Sequence, residues 1–125
     1  MKNTLVIAAI SGMLAVMLGA FGAHILKNII SDEMLEVYKT GIQYQFYHTF
    51  ALLVVGILMK FNSSKVLKWS SYFFIVGIIL FSGSLYVMAI TGIKLVGIIT
   101  PFGGVLWIIA WILLVVHCTK FISKN

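Results

Sequence analysis

Acidic residues are scarce in this chain and occupy one place. Only three of its 125 residues are acidic, and Asp32, Glu33 and Glu36 all lie in one short segment. The long apolar runs elsewhere therefore hold no carboxylate that could act as a general acid, a general base or a metal ligand. A Ser-His-Asp or Cys-His-Asp set is also missing from these runs. We predict no catalytic residues, and the favoured interpretation includes no metal site and no cofactor.

Arginine is absent, and cysteine occurs once. The net charge of +6 comes from lysine alone, whereas arginine is the preferred residue for bidentate recognition of phosphates and bases. The lysines also lie beside apolar runs, so we predict no nucleic-acid partner. The single Cys118 excludes an intramolecular disulfide and a cluster of thiolate ligands.

Apolar residues are abundant instead. They make up 62% of the chain, and the mean hydropathy is +1.11, whereas soluble domains are about 45–50% apolar. Runs of this length and composition suit helices that span a lipid bilayer. We therefore predict an all-α integral membrane four-helix bundle that forms one domain over residues 1–125. Its spans cover about 5–26, 42–59, 69–90 and 102–119, and an amphipathic interfacial segment covers about 31–41.

Three local signals predict helix ends. Ser31 is placed to cap a helix whose first turn holds Asp32 and Glu33, as the helix dipole favours. Gly92 predicts a helix stop. Thr100 followed by Pro101 predicts an N-cap and a proline at the first helical position.

The lysines also predict the orientation of the chain. Four spans place both termini on one side, and loops rich in lysine stay in the cytoplasm. One side would carry Lys2, Lys60, Lys65, Lys68, Lys120 and Lys124, and the other Lys27, Lys39 and Lys94. We expect both termini in the cytoplasm and the acidic segment outside.

Small residues are expected to let the helices approach closely. Lipid tails are as apolar as leucine, so helices in a bilayer associate through close packing and a few hydrogen bonds. Some of these contacts could join copies of the chain rather than helices of one copy, and a bundle this small favours a homo-oligomer. The predicted packing glycines are Gly12, Gly19, Gly22, Gly77, Gly83, Gly103 and Gly104.

Polar side chains inside the spans need partners, because unsatisfied groups in hydrocarbon are costly. Counted along the helices, those of this chain fall in the outer half of the bilayer, and we hypothesise one hydrogen-bonded cluster. Its candidate members are His24, Gln45, His48, Ser82, Ser84, Tyr86 and Thr100. Three roles stay open: structural hydrogen bonding, binding of a small molecule or lipid headgroup, and binding of metal or haem by His24 and His48.

Two broader functions follow from these features. The first is a structural or accessory membrane protein that stabilises the membrane or a complex, with lipid and other membrane proteins as partners. The alternative is a subunit of a small-solute transporter or channel. Proton-coupled exporters normally use a carboxylate inside the membrane, and the spans contain none, so the first function is favoured.

A resemblance to a known family covers nearly the whole chain. Its motifs are the segments 19–24, 44–45 with His48, 51–53, 81–86, 91–92 and 99–104, together with Trp111. In combination they resemble the family called "domain of unknown function 423", which comprises small bacterial inner-membrane proteins and has a vertebrate relative, transmembrane protein 256. The resemblance implies a polytopic protein of the bacterial plasma membrane with four helices and no established chemistry. It supplies no catalytic residues to carry over.

Overall fold

The structure is a computed structural model that describes residues 1–122. Five α-helices form four rods, because α3 and α4 are joined end to end by one π-helical segment, Ile78–Ser82. The short 3-10 turns Leu26–Asn28 and Lys94–Ile98 connect rods, and a second π-helical segment, Cys118–Ile122, follows the last helix. The helices are α1 (Lys2–His24), α2 (Asp32–Phe61), α3 (Lys65–Gly77), α4 (Gly83–Thr91) and α5 (Thr100–His117).

All four rods are long and apolar enough to cross a membrane. Together with the short 3-10 turns and the π-helical segments that continue them, they cover Lys2–Asn28, Asp32–Phe61, Lys65–Thr91 and Lys94–Ile122. Each exposes large apolar side chains, such as Met17 on α1, Phe50 on α2 and Ile108 on α5. Lipid is the solvent that such surfaces need. The prediction of an all-α membrane four-helix bundle is confirmed.

The α2 helix is longer than its apolar run. The predicted interfacial segment and the second span form one continuous helix of 30 residues, which is about 45 Å long at 1.5 Å per residue. A bilayer core is about 30 Å thick, so the acidic first turns of α2 have room to extend beyond it. Gly41 does not interrupt the helix, because it lies buried against Tyr86.

Two of the three predicted helix ends are found. The Ser31 hydroxyl accepts a hydrogen bond from the Met34 N–H at 3.2 Å, and Gly92 ends α4 in the left-handed conformation, with φ of 72°. The third prediction is wrong in part. Pro101 lies in the first turn of α5, but the cap position is Ile99 and no side chain caps it. The Thr100 hydroxyl instead bonds to Ser84 on the neighbouring rod.

The α1 and α2 helices pack antiparallel with a repeat of seven residues. Leu5 contacts Gly56, Gly12 contacts Thr49, and Gly19 contacts Ile42. Each step therefore moves seven residues forward on α1 and seven back on α2, the repeat of helices that pack at a shallow angle. Gly56 was not among the predicted packing glycines, although a Cβ there would lie 2.9 Å from Leu5 Cγ.

The α5 helix packs closely on the third rod. A Cβ on Gly77 would lie 3.0 Å from Trp107 Cγ, and one on Gly103 would lie 2.9 Å from the Phe81 Cα. The Ser70 hydroxyl donates to the Ala110 carbonyl at 2.8 Å. Small residues thus allow close approach, as predicted for packing in lipid.

The other predicted glycines differ among themselves. A Cβ on Gly22 would lie 2.9 Å from Tyr38 Cδ1, whereas one on Gly104 would only touch the Phe81 ring at 3.8 Å. Gly83 has no close neighbour in the described part of the chain, since a Cβ there would meet nothing within 4 Å. It directly follows the π-helical segment, whose wider turn changes the direction in which later residues face.

One polar contact at each end of the bundle joins a connection to a neighbouring segment. At one end, the Lys94 ammonium lies 3.4 Å from the Glu33 carboxylate. At the other, the Asn62 amide donates to the Phe121 carbonyl at 2.7 Å. Because each end gathers alternate connections, the four rods run up and down in turn.

Candidate functional site

Gln45 is the centre of a hydrogen-bond network that joins three rods. Its amide N–H donates to the Ser11 carbonyl on α1 at 2.9 Å, and its Oε1 accepts from the Tyr86 hydroxyl on α4. The residue is only 4% exposed. An amide offers both donors and an acceptor, so this one side chain ties α2 to a neighbour on each side.

Other hydroxyls extend the network along α2. Ser11 and Thr49 share a hydrogen bond of 2.7 Å, the Ser82 hydroxyl donates to the Gly41 carbonyl at 2.7 Å, and the Tyr38 hydroxyl donates to the Leu18 carbonyl. The α2 members lie three or four residues apart, which places them on one helix face.

A separate pair links α4 to α5. The Ser84 hydroxyl donates to the Phe81 carbonyl at 2.8 Å and also contacts the Thr100 hydroxyl. A hydroxyl has one proton to donate, so the Thr100 hydroxyl is the donor to Ser84. The pair holds the start of α5 against the rod that contains the π-helical segment.

His48 lies in an aromatic layer rather than in the Gln45 network. Its ring stacks on Trp107 with 3.6 Å between centroids and 1° between planes. The Trp111 indole N–H donates to His48 Nε2 at 3.3 Å, and Nδ1 lies 2.8 Å from the Tyr44 carbonyl. An indole only donates and a carbonyl only accepts. The imidazole is therefore neutral, with its proton on Nδ1.

His24 does not join the other candidates. It is exposed at the end of α1, and within residues 1–122 no hydrogen bond connects it to the cluster. The buried face of α1 includes Gly22, and two further residues turn a helix by about 200°. His24 therefore lies on the opposite face. The predicted single cluster is thus three separate arrangements without His24.

The arrangement leaves little capacity for a metal or haem. Both ring nitrogens of His48 already make hydrogen bonds. His24 lies on the face of α1 that points away from the bundle. Among residues 1–122, no group of three His, Cys, Asp or Glu side chains is close enough to hold a metal ion. What the site does chemically is join helices through hydrogen bonds and ring stacking.

Four members of the site were not predicted. Ser11 and Thr49 had a usable signal, because each is a lone hydroxyl on a buried helix face beside Gln45 or Gly12. Tyr38 was not considered because it falls in the predicted interfacial segment 31–41, before the predicted start of the second span at about residue 42. Trp107 had a signal too, since a tryptophan far from either end of a span is unusual. It is 3% exposed.

Comparison with known proteins identifies the family of this chain. The family described as "Protein of unknown function (DUF423)" matches residues 18–104. The chain is 46% identical over 121 residues to the UPF0382 membrane protein SAB0533 of Staphylococcus aureus strain bovine RF122 / ET3-1, covering 97% of this chain and 98% of that protein.

A second relative is also similar over nearly the whole chain. The chain is 45% identical to the UPF0382 membrane protein YwdK of Bacillus subtilis strain 168 over 123 residues, covering 98% of this chain and 100% of that protein. No solved structure matches. The predicted resemblance is confirmed, and this membrane protein belongs to the DUF423 family, whose function is unknown.

Proposed function

We propose that the protein is a non-catalytic structural component of the bacterial cell membrane. It crosses the bilayer four times, keeps both termini in the cytoplasm and assembles with further copies of itself. The main observation that supports self-association is a polar pair, Gln43 and Tyr47. The pair faces outward from α2 into the region that lipid would occupy.

The charge of the two ends supports this orientation. The described residues at the terminal end include five lysines and no carboxylate: Lys2, Lys60, Lys65, Lys68 and Lys120. Lys124, also counted in the prediction, lies outside the described residues. The opposite end balances Lys27, Lys39 and Lys94 against Asp32, Glu33 and Glu36. Lysine-rich ends remain in the cytoplasm.

The use of the buried polar groups supports a structural role. Gln45, Ser82 and Ser84 each bond to another rod, and His48 stacks on and bonds to α5. Catalytic groups need a substrate-facing atom and an orienting partner. Here the same atoms hold helices together, which interhelical hydrogen bonds do in membrane bundles.

One face of α2 has no partner among residues 1–122. Tyr47, Phe50, Val54 and Ile57 are each about half exposed, at 49%, 59%, 49% and 50%. With Gln43 they recur at intervals of four and three residues, the heptad spacing of helices that pack along their length. We call these five residues the α2 outer face.

The chemistry of this face suits a second copy of the same chain. The Gln43 amide donates to the Tyr47 hydroxyl, but its second N–H and its Oε1 have no partner within residues 1–122. Unpaired polar groups in hydrocarbon are costly. Because an amide both donates and accepts, two copies related by a two-fold axis can satisfy each other.

Removing these polar groups is expected to weaken self-association. The double variant Gln43→Leu/Tyr47→Phe should lower the dimer association constant by about sevenfold, if a mean interhelical hydrogen-bond energy of about 0.6 kcal/mol is lost in each protomer. Fluorescence transfer between labelled copies in liposomes measures it. Tyr72→Phe is the matched control, because Tyr72 is 57% exposed on α3. An unchanged dimer fraction, or an equal fall in the control, would contradict the proposal.

A further inference from the structure

A groove runs between α1 and α3, and its two parts differ in character. The part at the lysine-rich end is a crevice of about 340 Å³. A second cavity of about 180 Å³ continues toward the middle of the bundle. Ile7 and Ile75 line both cavities, so the two are adjacent along the same pair of helices. We call them the polar part and the apolar part of the α1–α3 groove.

The polar part offers donors to an anion. Lys68, Thr4 and Ser71 line it. Ser71 is 3% exposed, and its hydroxyl makes no hydrogen bond within residues 1–122. The Thr4 hydroxyl bonds only to the Met59 sulfur, at 3.8 Å. Two buried hydroxyls that line the same crevice as a lysine thus retain the capacity to bind a phosphate.

The start of α1 adds further donors. No side chain caps this helix, so the N–H groups of its first turn lack partners inside the helix. Asn3 and Thr4 belong to that turn and line the crevice. Free N–H groups at a helix start favour anions. No carboxylate lies at this end among the described residues.

The apolar part has the character that a hydrocarbon chain requires. Six of its eight lining residues are isoleucine or leucine, among them Ile10, Leu14 and Ile79. From Asn3 to Leu14 the groove follows α1 for about 17 Å at 1.5 Å per residue. An anion alone would fill only the polar part, and an apolar molecule alone would leave the Ser71 hydroxyl unpaired.

We propose that the α1–α3 groove binds an anionic phospholipid of the cytoplasmic leaflet. Its phosphate lies in the polar part against Lys68, Ser71 and Thr4, and one acyl chain lies in the apolar part along Ile10 and Ile79. The choice of the cytoplasmic leaflet rests on the proposed orientation of the chain, whereas binding in the groove is independent of self-association, because the groove and the α2 outer face involve different residues.

The test is native mass spectrometry of the full-length chain in a zwitterionic detergent. Three probes are added separately: phosphatidylglycerol, phosphatidylcholine with the same acyl chains, and inorganic phosphate. We expect phosphatidylglycerol to bind at least fivefold more tightly than phosphatidylcholine, and inorganic phosphate alone not to bind. Equal binding of the two lipids would overturn the proposal, and binding of inorganic phosphate as tight as that of phosphatidylglycerol would indicate a free-anion site.

Matched lysine variants separate the site from general surface charge. Lys68→Gln should reduce the preference for phosphatidylglycerol about fivefold, the equivalent of about 1 kcal/mol for a lysine near an anionic lipid. Lys65→Gln removes the same charge one helical turn away, outside the groove lining, and should leave the preference unchanged. Equal losses in both would contradict a specific site.

Two further variants test each part of the groove separately. Ser71→Ala removes only a hydroxyl and should lower the preference for phosphatidylglycerol. Ile79→Trp narrows the apolar part at a residue that is 63% exposed, and should weaken both lipids. If neither variant changes lipid binding, the groove is not the site.

Discussion

Replacing Trp107 with alanine is expected to lower the free energy of unfolding by about 3–5 kcal/mol, the usual cost of deleting a buried aromatic side chain. Trp107 is 3% exposed. Its ring covers His48 at 3.6 Å, and its indole N–H donates to the Phe74 carbonyl at 3.2 Å. The ring also fills the space that Gly77 leaves open. Its loss would therefore affect α2, α3 and α5 together.

Trp111 provides the matched comparison, one turn along α5. It is 44% exposed, so lipid can replace much of what its removal leaves. Trp111→Ala should cost less than half as much as Trp107→Ala. Unfolding in mixed micelles of mild detergent and SDS, followed by circular dichroism, measures both values. Equal costs would show that the aromatic layer does not centre on Trp107.

A single added methyl group at Gly103 is expected to lower the free energy of unfolding by about 1–3 kcal/mol, the typical cost of overpacking. A Cβ there would lie 2.5 Å from the Phe81 nitrogen and 2.9 Å from its Cα. These are backbone atoms of the π-helical segment, so no side-chain rotation can relieve the clash. Alanine at this position must separate α5 from the third rod.

The adjacent glycine is the control for this prediction. A Cβ on Gly104 would touch only the Phe81 ring, at 3.8 Å, which is an ordinary contact. Gly104→Ala should change stability little, while Gly103→Ala melts at a clearly lower temperature in the same detergent. If the two variants melt together, α5 does not approach the π-helical segment as closely as described.

Much of the fold could be predicted because the hydrophobicity of a segment depends on whether it lies inside the bilayer or at its surface. The four spans, the Ser31 cap and the Gly92 stop all follow from residues close together in the chain. The direction in which a side chain faces depends on rotation about the helix axis. For His24, the depth in the bilayer could be estimated from the sequence. Its rotation about the helix axis could not, and His24, two residues after the buried Gly22, faces away from the bundle.

The π-helical segment explains other differences. Each π turn holds more residues than an α turn, so a residue beyond Ile78–Ser82 cannot be placed on a face by counting 3.6 residues per turn. Gly83 follows the segment directly and faces open space. Gly41 and Gly56 were missed for a related reason, since their role depends on which side chain the neighbouring rod presents.

Six of the seven candidate polar residues, all except His24, make contacts between rods, but their pairing could not be derived from sequence. Gln45 and Tyr86 are 41 residues apart, and their contact depends on how α2 and α4 are rotated. His48 looked like a cluster member because of its depth. Its partners Trp107 and Trp111 lie on α5, and their spacing of four residues became meaningful only once α5 was placed opposite α2.

Labelling of single cysteines in bacterial cells tests most directly whether the chain crosses the membrane four times. In a Cys118→Ala background, Asn28→Cys and Ser63→Cys place a thiol in exposed connections at opposite ends of the bundle. A membrane-impermeant maleimide should label Asn28→Cys in intact cells, and Ser63→Cys only after permeabilisation. Labelling of both from the same side would contradict the account.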